Sequence, residues 1–496
     1  MQLKKTSLQT QGFFISSLLL ATSVQPAFAA PVPAKSADAF VDSIGVNVHL
    51  TYSGTPYEKF EDLIKPKLKE LGIRHIRDGA YQDEDFFKKI KNLADTGIKT
   101  TLIFSGNPPN EVVATAKKLA GAIKAVEGPN ESDLEIFNFV YKGDKFPEGT
   151  RNYQKEMYAA VKGDPVTKNL PVVLPSMGWG ENADKIGKLS AGDYCNIHSY
   201  PNIGQAPTID LDSYFIPHIH NMCSYHLPKW VTETGYHNTI SNELGISEQA
   251  AGKYIPRLLL GNFKRNIERT YLYELINQGT DLNDDQSNFG LLRFDGSPKP
   301  AFTVIKNMTS LLREPGVKFT PQSLDYETQG DKQGIETVLL QKSNGDYYLI
   351  LWQETKSWDN DSKKDITVPS KKITVSLKKS ANKLEVYDPI KSTSAAEVIS
   401  NAKTIEISIP DHPVILRVAT SSTQASIVDT QKPNSNSIDN KPDSSTSLNK
   451  GVINQPETKP QSTSADKNLT EQTINNWNHL MHPLRVLHSQ SEETNN

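Results

Sequence analysis

The chain has 496 residues, of which 36% are hydrophobic, and a formal charge of −3. That length exceeds a single core and calls for two or three units. The near-neutral, slightly acidic balance excludes an electrostatic case for nucleic acid or an anionic membrane as partner.

In chain order, the first element reads as a secretory signal. Lys4 and Lys5 form a basic start, and Phe13–Val24 is an apolar stretch too short to span a bilayer stably. Ala27-Phe28-Ala29 matches a small-x-small cleavage site. Residues 1–29 are therefore expected to be removed near Ala29/Ala30, giving a secreted or periplasmic protein. No later segment is apolar enough to span a membrane.

From residue 30 to 314, short apolar runs alternate with helical stretches. The expected strands are Ile44–His49, His75–Arg77, Lys99–Phe104, Ala125–Glu127, Val172–Pro175, Tyr194–His198, Trp230–Glu233 and Thr270–Leu275. Between them, segments such as Tyr57–Leu71, Phe86–Ala94, Val112–Ile123 and Glu248–Asn266 place apolar residues at helical spacing. The connection after the fifth strand is the weakest, a short Ala183–Leu189. Eight strands alternating with helices predict a (β/α)8 TIM barrel. An open doubly wound sheet would want a Gly-rich loop after its first strand. Val48-His49-Leu50 stands there instead.

Residues 315–420 change texture. Alternating or β-rich runs, among them Thr337–Gln341, Tyr347–Trp352, Ile373–Leu377 and Val414–Val418, are separated by Gly, Asn, Asp and Pro. They predict an all-β sandwich. Trp352 reads as core and Trp358 as part of the loop that follows. Residues 421–496 are dominated by Ser, Thr, Asn, Gln, Pro, Lys and Asp through most of their length, and predict a mostly disordered tail.

In a barrel of this kind the chemistry sits where the strands end. Glu131 follows the fourth strand and Glu233 ends the seventh. Two carboxylates facing one pocket are the minimum equipment for cleaving a glycosidic bond. Around them the strand ends supply Arg77, Asn130, Trp179, His198, Tyr200, Tyr236 and Glu274. This mix of polar and aromatic residues suits hydroxyl groups and sugar faces. Glu127 reads as a structural partner. Arg77 could pair with Asp78 or Glu127, His198 could be a satisfied core histidine, and Glu274 could touch substrate or form a barrel salt bridge.

These motifs resemble clan A glycoside hydrolases, in family 39-like or family 5-like form. Asn130-Glu131 is similar to their acid/base pair, Thr232-Glu233 to their nucleophile strand, His198-x-Tyr200-Pro201 to their sixth-strand motif, and Arg77 to their second-strand arginine. The resemblance implies a retaining hydrolase of O-glycosidic bonds in a polysaccharide or oligosaccharide. It implies Glu131 as acid/base and Glu233 as nucleophile, with Arg77 and Tyr200 supporting Glu233. The chain departs from many members at the eighth strand, where Tyr273-Glu274-Leu275 replaces a tryptophan. A transglycosidase, or a non-catalytic carbohydrate-binding or matrix protein, is the alternative.

No cofactor or metal is expected. Carboxyl groups suffice for the chemistry, and neither a CxxC nor an HxxxH spacing is present. The only cysteines are Cys195 and Cys223, read either as a disulfide or as two buried thiols. If His198 and Tyr200 face the barrel axis, Cys195 faces the helices, where Cys223 follows.

Overall fold

The computed structural model describes residues 30–420 with the exception of Ile203. The expected signal and tail lie outside the described residues.

Eight parallel strands, numbered β1 to β8, form one sheet: Ile44–Asn47, His75–Gly79, Lys99–Ile103, Ile123–Glu127, Val172–Val173, Cys195–His198, Lys229–Thr234 and Ile267–Leu272. β8 pairs with β1, and a parallel bridge from Val173 to Tyr194 joins β5 to β6, so the sheet closes into a barrel. β5 is shorter than expected. Pro171 and Pro175 flank it, and a proline has no N–H to add to the ladder. The helix expected over Val112–Ile123 runs instead over Pro109–Lys118. The chain turns at Gly121, with φ at 81°, and Ile123 already begins β4.

The barrel interior is packed below the site. Ala125, Val173, Trp230 and Tyr271 form a buried cluster from four strands. Tyr271 lies flat against β1 because Gly45 has no side chain there. A Cβ at that position would come within 2.4 Å of the ring. The Tyr271 hydroxyl meets Thr101 Oγ1 at 2.8 Å, so this aromatic floor is also satisfied in polar terms.

The C-terminal region is antiparallel β structure, as the alternation predicts. A long hairpin, Lys371–Tyr387 with Ala395–Ile409, organises it. The first half of Lys371–Tyr387 pairs with Tyr326–Gly330 and the second with Val414–Ala419, with a register shift on the hairpin between Ser376 and Ala381. Leu349, Ile373, Leu384, Ile407 and Leu416 belong to one core here. The first described residues join this region: Val32–Pro33 pairs with Ser323–Leu324, and Lys35–Ser36 with Leu340–Gln341.

The β region is fastened to the barrel. Arg257, fully buried on helix Glu248–Lys264, donates to Glu354 Oε2 (3.2 Å), Thr355 O (2.8 Å) and Asp411 O (3.2 Å). Tyr254 Oη accepts from the backbone N–H groups of Ser357 and Trp358. Trp352 and Trp358 are both buried and share the barrel's hydrophobic cluster. Trp352 is core as expected, but Trp358 stands on a short strand, Trp358–Asp359, rather than in a loop.

Cys195 and Cys223 form a disulfide that ties β6 to the end of helix Ile216–Met222. The outward parity of Cys195 is what permits it.

Candidate active site

The parallel registers gather the polar strand ends. Asn47 lies beside Arg77, and His198 beside Glu233. β7 carries one extra residue here. Ile197 pairs with Val231, but His198 pairs with Glu233, and across the other edge Thr270 pairs with Val231 but Leu272 with Thr234. This bulge lets Thr232 and Glu233, adjacent in sequence, both turn polar groups inward, against simple alternation. Register irregularities of this type recur beside active sites.

Arg77 is the hub. It is 1% exposed. Nε and Nη2 donate to Glu127 at 2.8 and 2.7 Å, Nη1 to Glu233 Oε1 at 2.6 Å and to Asn47 Oδ1 at 2.9 Å, and Nη2 also to Asn130 Oδ1 at 2.7 Å. The two readings left open for Arg77 resolve toward Glu127 and Glu233 together. Asp78 instead caps the backbone N–H groups of Leu50 and Gly79.

Glu233 also accepts from Tyr200 Oη at 2.8 Å. Burial pushes its pKa up, but His198, Arg77 and the Tyr200 hydrogen bond outweigh burial and leave it lowered. Glu131 faces Glu233 from the β4 loop. Its backbone φ is 40°, the sparsely populated left-handed region, and its N–H is held by Ser176 Oγ at 3.0 Å. Its Oε1 meets His198 Nδ1 at 2.7 Å. One oxygen from each of Glu131 and Glu233, together with a His198 ring nitrogen, lie within 4.8 Å of one another. Such a group has ligand types suited to a metal; here Glu131 and His198 share a hydrogen bond, and Glu233 accepts from Arg77 and Tyr200.

Trp179 is half-buried beyond β5. Asp133, three residues after Asn130, accepts its backbone N–H at 3.1 Å and that of Gly178 at 2.9 Å, and so binds the β5 loop to the β4 loop. Glu274 is wholly buried. Tyr57 Oη donates to its Oε2 at 2.8 Å and Gln278 Nε2 to its Oε1 at 2.9 Å, while His49 Nε2 stands 3.3 Å away. Its carboxyl is pushed up to about 8, by burial first and by Glu233 after it. Tyr236 is not brought to the carboxylates. Gly235, at φ 153°, turns the chain, and Tyr236 packs toward Tyr254 with its hydroxyl on Gln205 O.

Tyr273 takes the rim position at the end of β8. Its ring stands edge-on to His49 and to Phe289 at 5.6 and 5.4 Å. His49 itself stacks on Tyr52 at 4.4 Å, and burial lowers its pKa to about 4, which favours the neutral ring. Sequence reasoning missed the aromatic group of Tyr52, Tyr57 and Phe289, which lies outside the strand ends, Tyr57 on a 3-10 turn, Pro56–Glu58, and the other two on loops. It also missed Asp133.

No protein-family model matches the chain, and a comparison with curated proteins found no match. Among solved structures, the chain is similar to a family 39 glycoside hydrolase from the gut symbiont Bacteroides cellulosilyticus WH2, at 17% identity and a TM-score of 0.52, over 78% of this chain and 83% of that one. It is also similar to a glucosidase from Croceicoccus marinus, at 8% identity and a TM-score of 0.51, over 80% of this chain and 98% of that one. At these identities the likeness is one of fold.

Proposed function

We propose that the protein is a retaining glycoside hydrolase that cleaves O-glycosidic bonds in a polysaccharide or oligosaccharide. The observation that carries this reading is the Glu131–Glu233 pair, with carboxylate oxygens within 4.8 Å and unlike surroundings. Retaining enzymes hold their carboxyl groups about 5–5.5 Å apart, whereas inverting ones leave a wider gap for water. Glu233, held by Arg77 and Tyr200, suits an ionised nucleophile. Glu131, on His198, suits the acid that protonates the leaving oxygen. Glu233 attacks the anomeric carbon as Glu131 gives up its proton. Water, deprotonated by Glu131, then cleaves the glycosyl ester and frees Glu233.

The Cys195–Cys223 disulfide supports a secreted or periplasmic location, since oxidising compartments preserve such bonds. The substrate is a neutral or charged glycan read by hydroxyl donors and aromatic faces at the rim.

A panel of purified polysaccharides and aryl glycosides identifies a turned-over substrate. A 2-fluoro glycoside of the same sugar should then label one residue, and peptide mass analysis should place the label on Glu233. Labelling elsewhere, or a product of inverted configuration, rejects the mechanism.

A further inference from the structure

We infer that Thr232 is a positioning residue that fixes the tautomer of His198, making His198 Nδ1 the atom that shares a proton with Glu131. The inference starts from Asn196. Its Nδ2 donates to Glu127 Oε1 at 2.9 Å and to Leu174 O at 3.0 Å. Swapping the amide would face its oxygen against two acceptors, so the orientation is set. Asn196 Oδ1 therefore points at Thr232 Oγ1, 2.6 Å away.

Thr232 Oγ1 has two further neighbours: Glu127 Oε1 at 3.1 Å and His198 Nε2 at 3.0 Å. Asn196 Oδ1 accepts only. Glu127 Oε1 already takes N–H groups from Arg77 and Asn196, so it accepts too. A hydroxyl has one hydrogen to give, and it goes to one of these two oxygens. The third neighbour must donate, which puts a proton on His198 Nε2. The β7 bulge that turns Thr232 inward beside Glu233 makes this contact possible.

With Nε2 protonated, Nδ1 is left facing Glu131 Oε1 at 2.7 Å. One proton belongs to that contact. Moving it breaks Nδ1–H as Oε1–H forms, and turns imidazolium plus carboxylate into neutral imidazole plus carboxylic acid. Net charge is unchanged and no other reactant is needed. The groups facing His198 are Glu131 from the β4 loop, Glu233 on β7 with Oε2 3.7 Å from Nδ1, and Arg77 on β2. Burial lowers the His198 pKa, but the charge of Glu233 and the contact with Glu131 outweigh it, and the net shift is upward.

The tautomer stands on hydrogen bonding alone; its link to catalysis rests on the proposed function. The test is nitrogen NMR of protein carrying isotope-labelled histidine, with the His198 signals assigned through His198→Asn. The expected result is a protonated Nε2 in the unaltered protein, with Nδ1 as the nitrogen that responds to pH. An unprotonated Nε2 overturns the inference, whether or not any variant folds. In Thr232→Val the Nδ1–H tautomer should appear. Without its acceptor the pair releases its proton more readily, so the alkaline limb of kcat/KM should move down by about one pH unit or more. Thr232→Ser should restore both readouts. A folded Thr232→Val with an unmoved limb overturns the control over Glu131. The expected NMR pattern in a protein that cleaves no glycoside supports the tautomer and rejects the hydrolase reading.

Discussion

Arg77 grips Glu127 with two parallel hydrogen bonds, Nε to Oε2 at 2.8 Å and Nη2 to Oε1 at 2.7 Å, and turns Nη1 to Glu233. Glu127 thereby holds the guanidinium that holds the proposed nucleophile. Through Thr232 and His198 it also stands three contacts from Glu131. One fully buried carboxylate is thus linked by hydrogen bonds to both members of the pair.

Arg77→Lys should expose this dependence. A lysine keeps the charge but presents no planar fork, so it cannot serve Glu127 and Glu233 together. Breaking a buried charge pair costs about 3–5 kcal/mol, and misplacing a reacting group by about an ångström costs about 100-fold in rate. The expected outcome is a lower unfolding midpoint and a fall in kcat of that order with a smaller change in KM. Wild-type kcat and midpoint together would remove Arg77 from its assigned role.

Removing the acid should separate the two chemical steps. Glu131→Ala loses proton donation, worth about 10²–10⁴-fold for a poor leaving group. A dinitrophenyl glycoside needs no such help in its first step, so the glycosyl–enzyme should form and accumulate. Azide, a nucleophile that needs no base, should then raise turnover and yield a glycosyl azide of retained configuration. Equal losses for good and poor leaving groups, with no azide effect, would count against Glu131 as acid/base.

The strand ends were legible because a parallel barrel collects them at one face, and Arg77, Glu127, Asn130, Glu131, His198, Tyr200 and Glu233 all follow from that rule. What defeated sequence reading was irregularity. The β7 bulge changes parity by one residue, so Thr232 reads as outward when it faces Glu127 and His198. Tyr236 lies beyond a strand end, where one turn at Gly235 decides its direction and alternation gives no guide. The aromatic rim comes from loops whose residues are far apart in sequence, with His49 against both Tyr52 and Tyr273. Apolar spacing likewise carried a helix past Lys118 to Ile123, since Leu119, Ala122 and Ile123 are buried whichever element holds them.

The disulfide should contribute to stability without touching the chemistry. Cys195 and Cys223 are 28 residues apart, with Cα atoms at 5.8 Å, and the bond closes a loop worth about 3–4 kcal/mol in the chain-entropy model. A Cys195→Ser, Cys223→Ser double variant should lose about that much in urea unfolding. Its kcat at 25 °C should match the unaltered protein, because both sulfurs lie in the layer between β6 and the helix. A loss below about 1 kcal/mol would mean that the unfolded chain gains little freedom when the bond is removed.

Glu274 should give the protein a stability that falls as pH rises. In the folded state its buried carboxyl is pushed up to about 8 from 4.5, with burial the main cause and the charge of Glu233 adding to it. The unfolded chain releases this proton near the ordinary value, whereas the folded chain keeps it. Between those two pH values the folded state therefore binds more protons, and its stability declines with rising pH. The contribution is whole below the unfolded value and is lost as pH passes through the folded one. Glu274→Gln removes the titration while leaving an oxygen for the Tyr57 hydroxyl. Its unfolding midpoint should fall less than that of the unaltered protein between about pH 5 and 8. Asp78, also pushed up to about 8 by burial, is present in both proteins, so the difference in slope reports Glu274. Parallel slopes would show that Glu274 is ionised in the fold, and its contacts with Tyr57 and His49 would then hold a charge.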